Sequence, residues 1–469
     1  MKPPEYRDRL TTGIVHFGPG AFHRAHQADY VDRLLNQDPR WGIAAVSLRS
    51  AATIEALKAQ HGLYTLAILD AQPSFRTISA HSGFFGPHDG ADVRRQLRDP
   101  AVRIVTSTIT EKGYCLAGDG TLDFTHPDIL HDLEQPEQPV SLIGWLALGL
   151  ADRRANGLAP FTPSCCDNMA SNGRKLQAAV VAFAQRIAPE IARWIEGEVA
   201  FPNTMVDSIT PATDDRLRQL VRDATDSDDA VPVGREAYAQ WVIEDVLPAG
   251  SPDLASVGVT LTGDVQGWEK AKLRILNGAH SSLAYLGLLL GLETVADAIA
   301  HPALSAFVER LVTEDIIPTL EPSPIDLHGY AAATLARFRN PAIHHRLSQI
   351  AWDGSQKLPY RLLATIIDAR ASGRPIDSLA MPISAWILFI ERQARAGAPI
   401  VDPLADSLAT LGLSPAPVEG ILQLRQVFPE SLASDAAFTS AVTAAASAMR
   451  TEGVAALIGS PVTTSSTAK

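Results

Sequence analysis

From Gly13 to about Pro211 the chain alternates short apolar runs with stretches of helical period, and few folds accept that pattern. The run Ile14-Val-His-Phe17 leads into a helical stretch through Tyr30 to Leu35. Then come Ile43-Ala-Ala-Val-Ser-Leu48 and a helical stretch through Ile54 to Leu57. Strand and helix in strict turn predict a parallel sheet with crossover helices. Further strands are expected at Tyr64 to Leu69, Val102 to Ile109, Phe161 to Cys165 and Val199 to Val206, and helices at Leu142 to Ala155 and Lys175 to Ile187. Past roughly Trp268 the β-branched runs fade and Ala, Leu and Arg recur at helical spacing, so a mainly α-helical domain should follow. The join is expected between Asp245 and Asp264, where prolines and glycines interrupt both patterns, giving an α/β domain at 1–255 and a helical domain at 256–469. Two domains are also what 469 residues predict. The last residues, Pro461 to Lys469, read as a frayed tail.

Charge and cysteine usage exclude several classes of partner. Forty Lys+Arg against 52 Asp+Glu leave a net charge of -12, which repels a phosphate backbone unless cations are segregated. The densest cationic stretch, Arg94 and Arg95 with Arg98, alternates with acids and reads as a solvated helix face. Nucleic acid and anionic membranes are therefore not expected. Cys115, Cys165 and Cys166 suit neither a disulfide framework nor a Cys-x-x-Cys clip, and a reducing cytoplasm fits them. The N-terminal residues lack the apolar core of a signal peptide, and the longest uncharged apolar stretch, Ser281 to Leu292, is too short to span a bilayer. A cytoplasmic protein acting on a small molecule is the expectation.

The turn after the first strand points to a nucleotide. Gly18-Pro-Gly20-Ala21-Phe22-His23 sets two glycines between a strand and a helix, where backbone amides can approach a pyrophosphate, as in a Rossmann-like domain. The third glycine of the usual fingerprint is replaced by His23, and a tight turn with no ligand would use the same residues. The acid that normally ends the second strand and holds the adenosine ribose is also missing; Arg49 and Ser50 stand there, where they could meet a 2′-phosphate, and a surface arginine is the equal alternative for Arg49. That leaves NADP open beside NAD. His23 and His26 have no third ligand at a recognisable spacing, so helix capping or surface exposure is expected for both and no metal site is predicted.

Polar residues cluster in Glu269-Lys-Ala-Lys272-Leu-Arg-Ile-Leu-Asn277-Gly-Ala-His280. On an α-helix Lys272, His280 and Asn277 fall at roughly 0°, 80° and 140°, sharing one side over about 12 Å of rise. A desolvated lysine there would be a base for a substrate hydroxyl, with Asn277 donating to the developing alkoxide and His280 holding the hydroxyl in line. An amphipathic helix with an exposed lysine and a satisfied histidine is the other account of the same residues.

Seven ordered stretches bear on that choice: 18–27, 61–66, Thr110-Glu-Lys-Gly-Tyr114, Cys166-Asp-Asn-Met-Ala-Ser-Asn-Gly173, 201–211, 240–245 and 272–280. Together they resemble the mannitol dehydrogenase family of polyol-specific long-chain dehydrogenases. The resemblance implies a Rossmann-like NAD(P)-binding domain followed by a helical catalytic domain, NAD as cofactor with NADP as the alternative, no metal, and a monomer or small homo-oligomer. It implies Lys272 as the base, Asn168 and Asn277 as alkoxide donors, His280 as a hydroxyl partner and Glu111 in proton or water access. Gly18, Gly20, Ala21, Phe22 and Arg49 would meet the cofactor. Asp207 would lie near substrate, although the arginine that usually follows it is Ser208 here.

Family substrates are hexitols and sugar acids, which differ by one charged end. A carboxylate calls for a cation, and Asp353-Gly-Ser-Gln-Lys357-Leu-Pro-Tyr-Arg361 offers Lys357 and Arg361, which would otherwise be surface charges. The stretch resembles the fructuronate reductases more closely, so D-mannonate/D-fructuronate ranks above D-mannitol/D-fructose. Arabinitol, altronate and tagaturonate fit the same chemistry. A non-catalytic dinucleotide-binding protein is the alternative of another class, and Lys272 argues against it.

Overall fold

A computed structural model describes residues 2–459, so the expected frayed tail at 461–469 lies outside the described residues. Contacts divide the chain into two compact units, Met1–Gln266 and Gly267–Lys469. No helix among the described residues is long and apolar enough to cross a membrane.

The first unit is built on β1 (Thr12–Phe17), β2 (Gly42–Val46), β3 (Tyr64–Leu69), β4 (Ser74–Ile78), β5 (His81–Phe85), β6 (Ile104–Ser107), β7 (Thr162–Cys165), β8 (Thr204–Asp207), β9 (Val233–Glu236), β10 (Gln240–Glu244) and β11 (Thr260–Thr262). Its helices are α1 (Ala21–Ala25), α2 (Gln27–Leu35), α3 (Ala52–Ala59), α4 (Gly90–Arg98), α5 (Pro127–Glu134), α6 (Leu142–Ala155), α7 (Asn172–Ile187), α8 (Pro189–Glu198) and α9 (Asp215–Thr225). Five strands form a parallel sheet in the order β5-β2-β1-β6-β7. Residues 13–17 of β1 and all of β2 are buried, because helices cover both faces of such a sheet and remove the usual in-and-out alternation. Helix α6 is started by Ser141, whose hydroxyl accepts the Gly144 N–H at 2.9 Å, and its Trp145, Leu146 and Leu150 belong to the same buried core as Val15, Phe17 and Val105.

Two expected strands leave this sheet. Tyr64–Leu69 pairs antiparallel with β4 and parallel with β9 in a sheet of its own. Of the run from Val199 to Val206 only the last residues are strand: β8 pairs antiparallel with β10, while Pro202, which has no N–H to give a ladder, stands before it. Apolar runs report burial, and neither run names its partner. The sheet edge β5, His81-Ser-Gly-Phe-Phe85, escapes pattern reading because it is mostly half-buried and carries a glycine. The expected solvated face of α4 also needs correction. Arg94 is half-buried and donates to both carboxylate oxygens of Asp152 at 2.7 and 2.8 Å, whereas Arg95 and Arg98 are exposed as expected, Arg98 with its own contact to Asp152.

In the second unit α10 (Val265–Ala271) runs into a π-helical turn at Lys272–Leu276 and continues as α11 (Asn277–Leu289). Beyond Thr262 every described regular element is helical, apart from one bridge between Thr294 and Arg346. Residues Gly278 to Gly287 of α11 are all buried, and the helix packs on the long helix Asp377–Arg395, whose Trp386 is fully buried.

Candidate active site

At the end of β1 the chain turns through Gly18-Pro19-Gly20 into α1. The Gly18 N–H donates to the Val46 carbonyl at 2.9 Å, tying the turn to the end of β2. Gly18 has φ of +91°, and a Cβ there would sit 2.1 Å from the Thr108 carbonyl oxygen, so no other residue fits. Gly20 is exposed, and a Cβ on it would meet only the Gly18 oxygen at 4.0 Å. Nothing in the protein demands glycine at 20; a pyrophosphate lying on the backbone would, so the turn fits a dinucleotide. Ala21 and Phe22 follow, both half-buried, with the Phe22 ring stacked on His26 at 5.0 Å.

His23 and His26 are neither exposed nor capping by their side chains: both are fully buried. His23 stacks on His16 of β1 with centroids 3.4 Å apart, and its Nε2 lies 3.1 Å from His81 Nε2. Where the usual third glycine lets helix and strand touch backbone to backbone, an imidazole layer fills the space instead. Burial pushes His16 and His81 down to about 3 and His23 well below its ordinary value, so the layer is neutral. The His26 Nε2 lies 2.9 Å from the Gln240 carbonyl oxygen. Arg49, past the end of β2, is exposed and ion-paired with Asp128 in the first turn of α5.

Loops from the C-terminal ends of β6 and β7 carry Glu111 and Asn168, both exposed. The carboxylate of Asp167 joins them: it accepts the Ile109 N–H at 2.8 Å, the Thr110 N–H at 3.2 Å and the Tyr114 hydroxyl at 2.6 Å. Thr110 is held at φ of +68°, a conformation a β-branched residue keeps only when its surroundings impose it. Asn172 fastens the same region by donating to the carbonyls of Cys165, Asp167 and Thr204. Asp207, at the end of β8, is buried. Asp167 and Asn172 were within reach of sequence reading as unusual polar residues beside Asn168, but nothing local reveals their partners.

In the second unit the π-helical turn alters the expected wheel. The Asn277 N–H donates to the carbonyls of both Leu273 and Lys272, the latter five residues back. With that spacing five residues make little more than one turn, which brings Asn277 much nearer to Lys272 than the 140° or so of a regular helix. Lys272 and Asn277 are half-buried and His280 is buried. The His280 ring packs on Phe338 at 4.3 Å and edge-on to His345 at 5.3 Å, and its Nε2 has no hydrogen-bond partner among the described residues. Burial first, then His345, Arg361 and Arg337, hold its pKa well below the ordinary histidine value, so the ring is neutral.

Arg361 adjoins this group, and Lys357 lies near His345. The Arg361 guanidinium donates to Ser281 Oγ at 3.2 Å, one residue from His280, and a Cβ on Gly278 would lie 3.0 Å from the Arg361 carbonyl oxygen. Lys357 donates to the Ile350 carbonyl at 3.4 Å. Both are half-buried, and among the described residues neither is ion-paired with a carboxylate. Burial and then Arg361 push the Lys357 ammonium down to about 8, and burial lowers Arg361 to about 10. Burial first, then the same two cations, lower His345. His345 lies in no sequence motif, and only the fold brings it to His280.

Two family models span the chain: the mannitol dehydrogenase Rossmann domain matches residues 12–256 and the mannitol dehydrogenase C-terminal domain residues 264–450. The chain belongs to the mannitol dehydrogenase family. As a member it is an oxidoreductase, and its parallel-sheet unit is the family's Rossmann domain. D-mannonate oxidoreductase of Escherichia coli is 40% identical over 95% of this chain and 94% of its own. Mannitol 2-dehydrogenase of Cereibacter sphaeroides is 39% identical over 86% of this chain and 85% of its own. A solved ternary complex of Pseudomonas fluorescens mannitol 2-dehydrogenase with NAD and D-mannitol is similar at a TM-score of 0.82 and 35% identity, over 96% of this chain and 94% of that one.

In this mannitol dehydrogenase family member one group among the described residues gathers three potential metal ligands, Cys115, His126 and Asp128, within 4.8 Å of one another. Asp128 is engaged by Arg49, and burial together with Asp128 pushes the Cys115 thiol up to about 12. A protonated thiol and an occupied carboxylate make a poor ligand set.

Proposed function

We propose that this mannitol dehydrogenase family member interconverts D-mannonate and D-fructuronate with NAD. One observation carries the choice of a sugar acid: Arg361, whose guanidinium reaches Ser281 beside His280, and Lys357, four residues before it, are half-buried cations, and among the described residues neither forms an ion pair with a carboxylate, although Asp353 and Asp402 act on Lys357 from farther off. Desolvated cations are costly unless an anion meets them, and a hexonate carboxylate has the right charge and planarity for a guanidinium. Identity of 40% to a D-mannonate oxidoreductase agrees with this reading.

Bound at Gly18, Gly20, Ala21 and Phe22, NAD supplies the hydride acceptor. Lys272 in its neutral form takes the proton of the substrate hydroxyl, and in reduction its ammonium returns that proton to the ketone oxygen. Asn168 and Asn277 donate amide N–H groups to the oxygen as it becomes an alkoxide. Neutral His280, with an unpartnered Nε2, orients the hydroxyl. Glu111 relays protons to solvent, from an exposed turn anchored through Asp167, and Asp207 accepts from a substrate hydroxyl.

A second reading, D-mannitol and D-fructose, is favoured by 39% identity to a mannitol 2-dehydrogenase and by likeness to a structure that holds NAD and D-mannitol. Absorbance at 340 nm with NADH separates the two. Oxidation of NADH with fructuronate at a kcat/KM at least tenfold above that with fructose is expected; the reverse order makes the hexitol the substrate.

A further inference from the structure

In a nucleotide-binding sheet of this kind the adenosine ribose meets the end of the second strand, where an acid selects the 2′-hydroxyl of NAD and an arginine accommodates the 2′-phosphate of NADP. Here β2 ends at Val46, whose carbonyl accepts the Gly18 N–H at 2.9 Å, so the strand end and the glycine turn are neighbours. The residues that follow, Ser47-Leu48-Arg49-Ser50, contain the arginine and no acid. Read by sequence alone they favour a 2′-phosphate.

Three-dimensional packing reverses the sign. Arg49 is ion-paired with Asp128, which arrives from α5, and Asp128 is the better buried partner at 15% side-chain exposure against 69%. The Asp128 backbone N–H donates to His126 Nδ1 at 3.2 Å, fixing the residue in the first turn of α5, where the helix dipole favours a negative charge. A guanidinium satisfied by a carboxylate offers a phosphate less, and the carboxylate itself repels a dianion brought to the same place.

We infer that Asp128 is a cofactor-specificity residue: it supplies in space the acid that β2 lacks in sequence, occupies Arg49, and makes the chain prefer NAD to NADP. The inference rests on the reading that the Gly18–Gly20 turn binds the dinucleotide. Removing the carboxylate leaves Arg49 as an unopposed cation at the ribose end, which converts the same surface into a 2′-phosphate site.

Dissociation constants for NADH and NADPH, read from nucleotide fluorescence with the full-length protein, test this without turnover. The parent protein should bind NADH more tightly than NADPH. Asp128→Asn should raise the NADPH to NADH affinity ratio about fivefold, equivalent to about 1 kcal/mol. The double variant Arg49→Gln with Asp128→Asn should lose that gain, because the gain depends on the freed guanidinium. An unchanged ratio in Asp128→Asn with NADH still bound overturns the assignment alone, as does a gain that persists in the double variant. Failure of the parent protein to bind NADH overturns the cofactor reading and this assignment with it.

Discussion

Arg49 in the first unit and Arg361 in the second are both arginines that sequence reading assigned to an anion, yet their surroundings differ. Arg49 stands 69% exposed, in water, with Asp128 against it. Arg361 is half-buried, donates to a serine hydroxyl, and has no carboxylate partner among the described residues. An exposed ion pair is worth about 0 to 1 kcal/mol, whereas charge-assisted hydrogen bonds formed by a desolvated group are worth roughly 1.5 to 3 kcal/mol. Residue type therefore nominates a binder, and burial with pairing decides how much it contributes. On the proposed reading the same contrast puts cofactor choice in the first unit, and the base Lys272 with the cations for a substrate carboxylate in the second.

The strongest attempt to break that division is Lys272→Ala. Turnover should fall by about 10³-fold, within the range lost when a general base is removed, while the NADH dissociation constant stays within twofold of the parent. Loss of NADH binding along with turnover would erase the division. Next, Arg361→Met should lower kcat/KM for fructuronate by about 10- to 100-fold and leave fructose within threefold, since only the sugar acid carries the charge that the guanidinium meets. Equal losses for both substrates would make Arg361 a packing residue.

A smaller effect should follow pH. With its pKa lowered to about 8, Lys357 is an ammonium below that pH and neutral above it. The KM for fructuronate should therefore rise severalfold between about pH 7 and 9, and Lys357→Met should have a high KM without that limb. A pH dependence unchanged in the variant would remove Lys357 from the carboxylate site. The fivefold shift expected for Asp128→Asn is of similar modest size, as an exposed pair requires.

Several elements were legible in advance because their signals are local. Helix α6 occupies Leu142–Ala155, the bounds expected for it, and Ile14 to Phe17 lies in β1. The glycine turn was visible for the same reason, since a positive φ at Gly18 is a one-residue requirement. His23 and His26 were misplaced because two histidines read in isolation look polar. Their burial depends on His16, His81 and the carbonyl of Gln240, which approach only when the sheets form. The role of Asp167 is hidden in the sequence for a similar reason: its three donors come from another loop.

By itself the sequence determined that a parallel α/β unit precedes a helical one, where the glycine turn after β1 sits, and which residues stand at 272, 277 and 280, because period and turn chemistry act over a few neighbours. Only the tertiary structure decided which strands share a sheet and that the helix loosens to a π turn between Lys272 and Asn277. It also decided that Arg49 meets an acid 79 residues away while Arg361 meets none among the described residues. Each of those outcomes depends on contacts between distant segments, whose energies no local pattern contains.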